Sequence, residues 1–217
     1  MSIPKSLYHS FLNQKYLDFG PGFYMWSDPF PAKTIVLQED TPACYELFLN
    51  SDIINNLNIL FLKGMQWVYT IIACLDIAND YPVLKPYRDC LKAYDIVFGL
   101  FPNDGGTAAI HRFKSHCITD ICLLNAMNHF PGTLQINART KKACSAIQII
   151  QKHTIDDSEK RAVIISAINR RKKDMAILSE TTTRHKRDGV FFDELLQDEA
   201  KLLSYLPKGY NPGNDYD

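Results

Sequence analysis

Residues 57–79 constrain the fold more than any other segment, because their apolar side chains recur with the period of an α-helix. These side chains lie around the whole circumference of such a helix, at Leu60, Phe61, Val68, Ile71, Ile72 and Leu75. Lys63 interrupts the segment, whereas a membrane-spanning helix needs about 20 predominantly apolar residues. We therefore predict a buried helix at the centre of the fold, surrounded by other helices, and no membrane span.

Proline, glycine and capping residues divide the remaining chain into segments of the length of typical helices, and strand signals are few. Only residues 33–38 form a short β-branched run between residues that interrupt regular structure. The sequence favours neither a strand nor the absence of a strand there. We predict a mainly α-helical fold, a single-domain bundle of seven or eight helices around the central one, without a doubly wound α/β sheet. The predicted helices are residues 4–17, 41–50, 57–79, 86–101, 108–128, 138–153, 156–180 and 192–206.

The composition changes at residues 130–133, from aromatic and neutral to basic. This change predicts an aromatic-rich helical lobe at residues 1–130 and a basic helical lobe at residues 131–209. No low-complexity linker separates them, so residues 1–209 are expected to form one compact domain. Residues 210–217 are predicted to be a mobile acidic tail.

The charges of the chain are balanced overall but unevenly distributed. Lys and Arg together number 24, as do Asp and Glu. Residues 139–187 nevertheless contain thirteen of the basic residues and only five of the acidic ones, a surplus of eight positive charges. A local surplus of this kind is typical of a surface that binds polyanions, although it also occurs on solvated faces and in nuclear-import signals.

The basic surplus predicts the function that we favour from the sequence. It is that of an intracellular, non-enzymatic binding protein that engages RNA or another polyanion, in the manner of an oligomeric nucleoprotein or structural protein. Phosphate contacts would release counterions, and binding would therefore weaken with salt. The candidate polyanion-binding residues are Arg139, Lys141, Lys142, Arg170, Arg171, Lys172, Lys173, Arg184, Lys186 and Arg187.

An aromatic segment at residues 20–31 supports an alternative function. Prolines and glycines bracket its large side chains, which predicts a loop held by aromatic anchors. These rings could pack on the protein's own core, stack on bases, or contact a partner protein. In the last case the chain would be a helical adaptor, or a viral or regulatory factor, that binds a host or partner protein through this loop or the last helix. The candidate partner-binding residues are Phe23, Tyr24, Trp26 and Phe30.

The cysteines and histidines give no clear chemical signature. Six cysteines occur without a CxxC pair or a recognisable signal peptide, which favours a reducing cytoplasmic or nuclear compartment. The densest set lacks the three- or four-residue spacing of metal ligands on a helix, so we predict no metal and no cofactor. That set is His111, His116, Cys117, Cys122 and His129. An enzyme with an unrecognised Cys/His site remains a second alternative.

Overall fold

The computed structural model describes residues 6–9, 17–76, 78–130, 132–208 and 210. Its strands are β1 (Leu7–His9), β2 (Phe23–Trp26), β3 (Ala43–Leu49), β4 (Ile59–Phe61), β5 (Ile96–Leu100), β6 (Leu134–Ala138) and β7 (Ile147–Thr154). They form one seven-stranded sheet in the order β4-β5-β6-β2-β1-β3-β7. β4 and β5 are parallel, and the other neighbouring strands are antiparallel.

Ten α-helices accompany the sheet in the described residues. They are α1 (Pro29–Ile35), α2 (Ser51–Ile54), α3 (Gly64–Leu75), α4 (Lys85–Asp89), α5 (Asp104–Lys114), α6 (Asp120–His129), α7 (Lys141–Cys144), α8 (Asp157–Arg184), α9 (Phe192–Gln197) and α10 (Glu199–Ser204). Two 3₁₀ turns, Pro82–Leu84 and Cys90–Ala93, flank α4.

The prediction of a mainly α-helical bundle is therefore wrong, since helices contain 51% of the residues and strands a further 18% in one large sheet. The fold is mixed α/β. Strands that are covered on both sides carry apolar residues at consecutive positions, so the alternation that identifies a half-exposed strand is lost. β5 illustrates the effect, because its first four residues are all buried.

Five predicted helices contain strands, and the predicted helix at residues 86–101 is one of them because residues 96–100 form β5. The predicted central helix divides into β4 and α3, and Gly64, the first residue of α3, has a φ of 54°. Residues 41–50 and 138–153 contain β3 and β7, which pair with each other at one end of the sheet. Of the predicted first helix, residues 7–9 form β1, whereas residues 4, 5 and 10–16 lie outside the described residues.

The two faces of the sheet are covered unequally. On the first face, Tyr24 and Trp26 belong to a large apolar core together with residues of α3, α5, α6 and α8. On the second face, Met25 belongs to a smaller core, to which the short helices α2 and α7 contribute Ile54 and Ala143. Most of the helical mass therefore lies on one side of the sheet, and this side contains the pocket described below.

The longest helix, α8, agrees with the predicted helix at residues 156–180. Asp156 caps it, because its Oδ1 accepts a hydrogen bond of 2.8 Å from the backbone N–H of Glu159. α8 packs against α1, α5 and α6. Its position brings the basic segment over residues from the first half of the chain.

The sheet also crosses the composition change at residues 130–133. β6 follows this change in sequence but lies between β5 and β2, which precede it. Of the predicted tail, residues 211–217 lie outside the described residues. Within the described part of the chain, the helices fall short of the length and apolarity that crossing a membrane requires.

Candidate functional site

A pocket of about 370 Å³ lies where the aromatic segment meets α8. β2 and β6 form its floor through Trp26 and Gln135, and α1 forms one wall through Phe30. The connection from β5 to α5 supplies Phe101, and α8 supplies Arg170. The pocket thus combines four parts of the chain that are distant in sequence, on the side of the sheet that most helices cover.

Hydrogen bonds between side chains define the floor of the pocket. The indole Nε1 of Trp26 donates to Oε1 of Gln135 at 3.2 Å. Nε2 of the same amide donates to Oδ2 of Asp18 at 3.0 Å. Gln135 therefore has a fixed orientation, and one amide hydrogen and one oxygen lone pair remain beyond these two bonds.

Aromatic rings from three elements line the pocket. Trp26 and Phe101 meet edge to face, with centroids 6.2 Å apart. Phe30 lies beneath the guanidinium group of Arg170, whose Cζ is 3.8 Å from the ring centroid. This cation–π contact holds Arg170 flat against the wall of the pocket.

Carboxyl groups face the same pocket as the arginines. Burial raises the pKa of Asp18 above its usual range, and the hydrogen bond from Gln135 opposes this shift. Burial also raises the pKa of Asp174, with a further increase from the nearby charge of Asp104. Asp174 is 1% exposed, and its Oδ2 accepts a hydrogen bond of 2.9 Å from Nδ2 of Asn103. The pocket is therefore lined by both cationic and acidic groups.

The four consecutive cations of α8 do not point in one direction. Successive residues of an α-helix are rotated by about 100°, so Arg170 and Arg171 face the pocket while Lys172 points away from it. Arg171, Lys172 and Lys173 are exposed. Within the described residues, no carboxylate lies within 4.0 Å of any of the four cations. Their charges are thus available to solvent, but only two of them are directed at the pocket.

The remaining predicted cations lie elsewhere. Arg139 donates to the carbonyl oxygen of Phe19 at 2.5 Å, and Lys142 donates to that of Asn56, also at 2.5 Å. Lys142 and Lys141 belong to α7, which covers the second face of the sheet, whereas α8 covers the first.

The cations beyond α8 are also remote from the pocket. Arg184 pairs with Glu180 at 2.6 Å, at a distance of about 20 Å along α8 from Arg171. Lys186 and Arg187 follow the end of the helix and are exposed. The ten predicted cations therefore do not form one continuous surface.

Three of the four predicted aromatic residues, Tyr24, Trp26 and Phe30, line the pocket, whereas Phe23 does not. Tyr24 is buried; its hydroxyl accepts from the backbone N–H of Phe19 at 2.9 Å and donates to the carbonyl oxygen of Gly20 at 2.7 Å. Phe23 stacks on His9, with ring centroids 3.9 Å apart, and packs against the core of the second face. The last predicted helix divides into α9 and α10, whose Phe192 and Leu202 are also buried.

The histidines and cysteines around α5 and α6 are dispersed. His116 adopts a φ of 56° between the two helices and lies 3.1 Å, Nδ1 to Oδ1, from Asp193. Cys117 is exposed, whereas Cys122 is buried and burial raises its pKa. The described residues contain no group of three His, Cys, Asp or Glu side chains arranged to hold a metal ion.

Sequence reasoning missed most of the residues that line the pocket, including Asp18, Phe101, Asn103 and Gln135. Gln135 and Asp18 are 117 residues apart in sequence, and no local pattern relates them. Gln135 does carry one signal, because it is a polar residue, 1% exposed, in a strand that also buries the polar residue Asn137 between apolar neighbours. A buried polar side chain of this kind requires a partner, and here its partners line the pocket.

Comparison of the chain with protein-family models, with curated proteins and with solved structures yields no match. No relative therefore supports the viral origin or the RNA-binding class considered from the sequence, and an all-α fold is excluded by the sheet. The function has to be inferred from the pocket itself.

Proposed function

We propose that this protein binds a small nucleotide ligand, with its phosphate at Arg170 and Arg171 and its base in the adjoining pocket. The observation that carries the proposal is the stacking of Arg170 on Phe30 at the wall of a pocket that Trp26 and Phe101 also line. This proposal narrows the polyanion function expected from the sequence, because the predicted cations do not form an extended surface.

The phosphate end of the ligand is matched by the two arginines. A guanidinium group presents donors in a planar fork that fits phosphate oxygens, and its charge strengthens each hydrogen bond. Arg170 is held in place by Phe30, so less conformational freedom is lost when it binds. Arg171 is exposed at the same wall and can approach a phosphate from solvent.

The base end is matched by flat apolar surfaces and hydrogen-bonding groups. Base stacking on an aromatic side chain contributes about 1–3 kcal/mol. Gln135 offers both a donor and an acceptor, and the carboxyl groups of Asp18 and Asp174 attract donors. A volume of about 370 Å³ is within the usual range of small-ligand pockets.

The acidic groups favour a nucleotide over a ligand that carries negative charge throughout. A polyphosphate or a sulfated sugar would place anions against Asp18, Asp104 and Asp174. A base with an exocyclic amino group instead directs donors at these acceptors while its phosphate remains at the arginines. We therefore expect CMP, which carries this amino group, to bind more tightly than UMP, which does not.

The test is calorimetric titration of the full chain with CMP, UMP and ribose 5-phosphate. CMP is expected to bind. The affinities for UMP and for ribose 5-phosphate should each be lower than that for CMP by about tenfold or more. The Arg171→Ala variant should lose about tenfold in CMP affinity, because one charge-assisted contact is removed. Lys172→Ala is the matched control on the same helix: it removes an equally exposed cation that points away from the pocket, and should leave the affinity unchanged.

A second pair of variants tests the pocket without removing charge. Ala167 lines the pocket on α8, so Ala167→Phe should fill the cavity and abolish CMP binding. Ala176→Phe, at an exposed position of the same helix, should not. The proposal is overturned if no nucleotide binds, or if a long single-stranded RNA binds with equal losses in Arg171→Ala and Lys172→Ala, which would indicate a diffuse polyanion surface.

A further inference from the structure

A second cavity, of about 280 Å³, lies at the β4 end of the sheet. β4 and β5 line it together with α3 and α6. Its walls include three side chains that are almost completely buried, namely Trp67, Phe98 and Met127. Phe61 stacks on Phe98 with centroids 4.7 Å apart and closes the cavity at the strands, whereas Trp67 and Met127 belong to the apolar core of the first face.

The polar groups of this cavity are few and lie at its opening. The indole Nε1 of Trp67 donates to the carbonyl oxygen of Leu100 at 2.9 Å and is thereby satisfied. Lys63 and Asn128 line the cavity and are exposed. Within the described part of the chain, no carboxylate lies within 4.0 Å of the Lys63 ammonium group. An apolar interior with one cation at the opening selects for an apolar molecule with a single negative end.

We infer that this cavity is a binding site for an apolar carboxylate, such as a medium-chain fatty acid. The hydrocarbon chain packs against Trp67, Leu124 and Met127, and the carboxylate remains near Lys63 at the solvent side. The apolar walls supply the affinity, whereas Lys63 selects the charge of the head group. The site lies outside the nucleotide pocket and does not depend on it.

The experiment is calorimetric titration of the full chain with octanoate, octanol and octylamine, which differ only in the head group. Octanoate is expected to bind about tenfold more tightly than octanol, and octylamine more weakly still. Shortening octanoate to hexanoate should lower the affinity about fourfold for each methylene removed. Octanoate and octylamine binding equally, or no binding of any of the three, overturns the inference.

Two variants assign the site. Lys63→Met keeps the length and apolar character of the side chain, and should lower octanoate affinity to that of octanol without affecting octanol itself. Leu124→Trp places a larger side chain in the cavity and should abolish binding of both, whereas Leu203→Trp, at a partly exposed position of α10, should not. Thermal unfolding of each variant verifies that it is folded. Unchanged octanoate binding in folded Leu124→Trp would place the ligand elsewhere.

Discussion

The guanidinium carbon of Arg170 lies 3.8 Å from the centroid of the Phe30 ring. Phe30 belongs to the aromatic segment and Arg170 to the basic segment, the two features that stand out in the sequence. Their contact joins α1 to α8 at the wall of the candidate nucleotide pocket.

The Arg170–Phe30 contact is expected to contribute measurable coupling energy. A double-mutant cycle of Arg170→Ala and Phe30→Ala should give about 0.5–1 kcal/mol in the free energy of unfolding, the usual range for a partly exposed cation–π pair. The matched cycle of Arg171→Ala with Phe30→Ala should give coupling close to zero. Urea denaturation measures both, and equal coupling in the two cycles would refute the specific contact.

The orientation of α8 can be tested by truncating one side chain on its buried face and one on its exposed face. Leu178 is 0% exposed, so Leu178→Ala should lower the free energy of unfolding by about 2–5 kcal/mol through lost burial and a cavity. Ile165 is 60% exposed, and Ile165→Ala should change the free energy of unfolding by about 0.5 kcal/mol or less. Chemical denaturation followed by circular dichroism provides the comparison. Similar losses at both positions would mean that α8 is rotated from the position described.

The close approach of α5 to α8 depends on the absence of a side chain at Gly105. A Cβ at this position would lie 2.5 Å from Cβ of Asp174, so Gly105→Ala should destabilise the protein by about 1–3 kcal/mol despite the better helix propensity of alanine. A Cβ at Gly132 would meet only the Leu100 side chain, at 3.6 Å. Gly132→Ala should therefore be almost neutral. A shift in melting temperature confined to Gly105→Ala is the expected result.

The buried carboxyl of Asp174 should make stability depend on pH. Because burial raises its pKa in the folded state, folded protein retains a proton that the unfolded chain releases. Wild-type stability is therefore lost as the pH rises from the ordinary aspartate pKa of about 3.9 through the raised value, and the loss is complete above it.

Asp174→Asn removes this titration while it keeps an oxygen that can accept from Asn103. The stability of the variant relative to wild type should increase over the same pH interval and then remain constant. Unfolding by urea at a series of pH values measures the difference. Asp40→Asn, at an exposed position, is the matched control for the substitution itself, and a flat difference for Asp174→Asn would contradict the assigned burial effect.

Local sequence signals predicted α8 correctly. The predicted helix starts at residue 156, and Asp156 is the N-cap of α8, while the cations Arg171, Lys172 and Lys173 are on the solvent-accessible part of the helix. The apolar pattern of this helix is less informative, since Ile164, Ile165 and Ile168 are apolar but are 42%, 60% and 50% exposed. Helix caps depend on residues a few positions apart, so they can be recognised from sequence alone.

The sheet and the pocket were decided by tertiary structure. β2 pairs with β6, more than 100 residues later, and this pairing brings Trp26 within hydrogen-bond distance of Gln135. The same helix α8 that the sequence predicts covers this part of the sheet only because Leu178 and Asp174 pack against elements from the first half of the chain. The sequence alone determined where charge and aromatic side chains are concentrated and where α8 begins. The pairing of distant strands decided which charged and aromatic side chains come into contact, because these contacts join residues that no local periodicity connects.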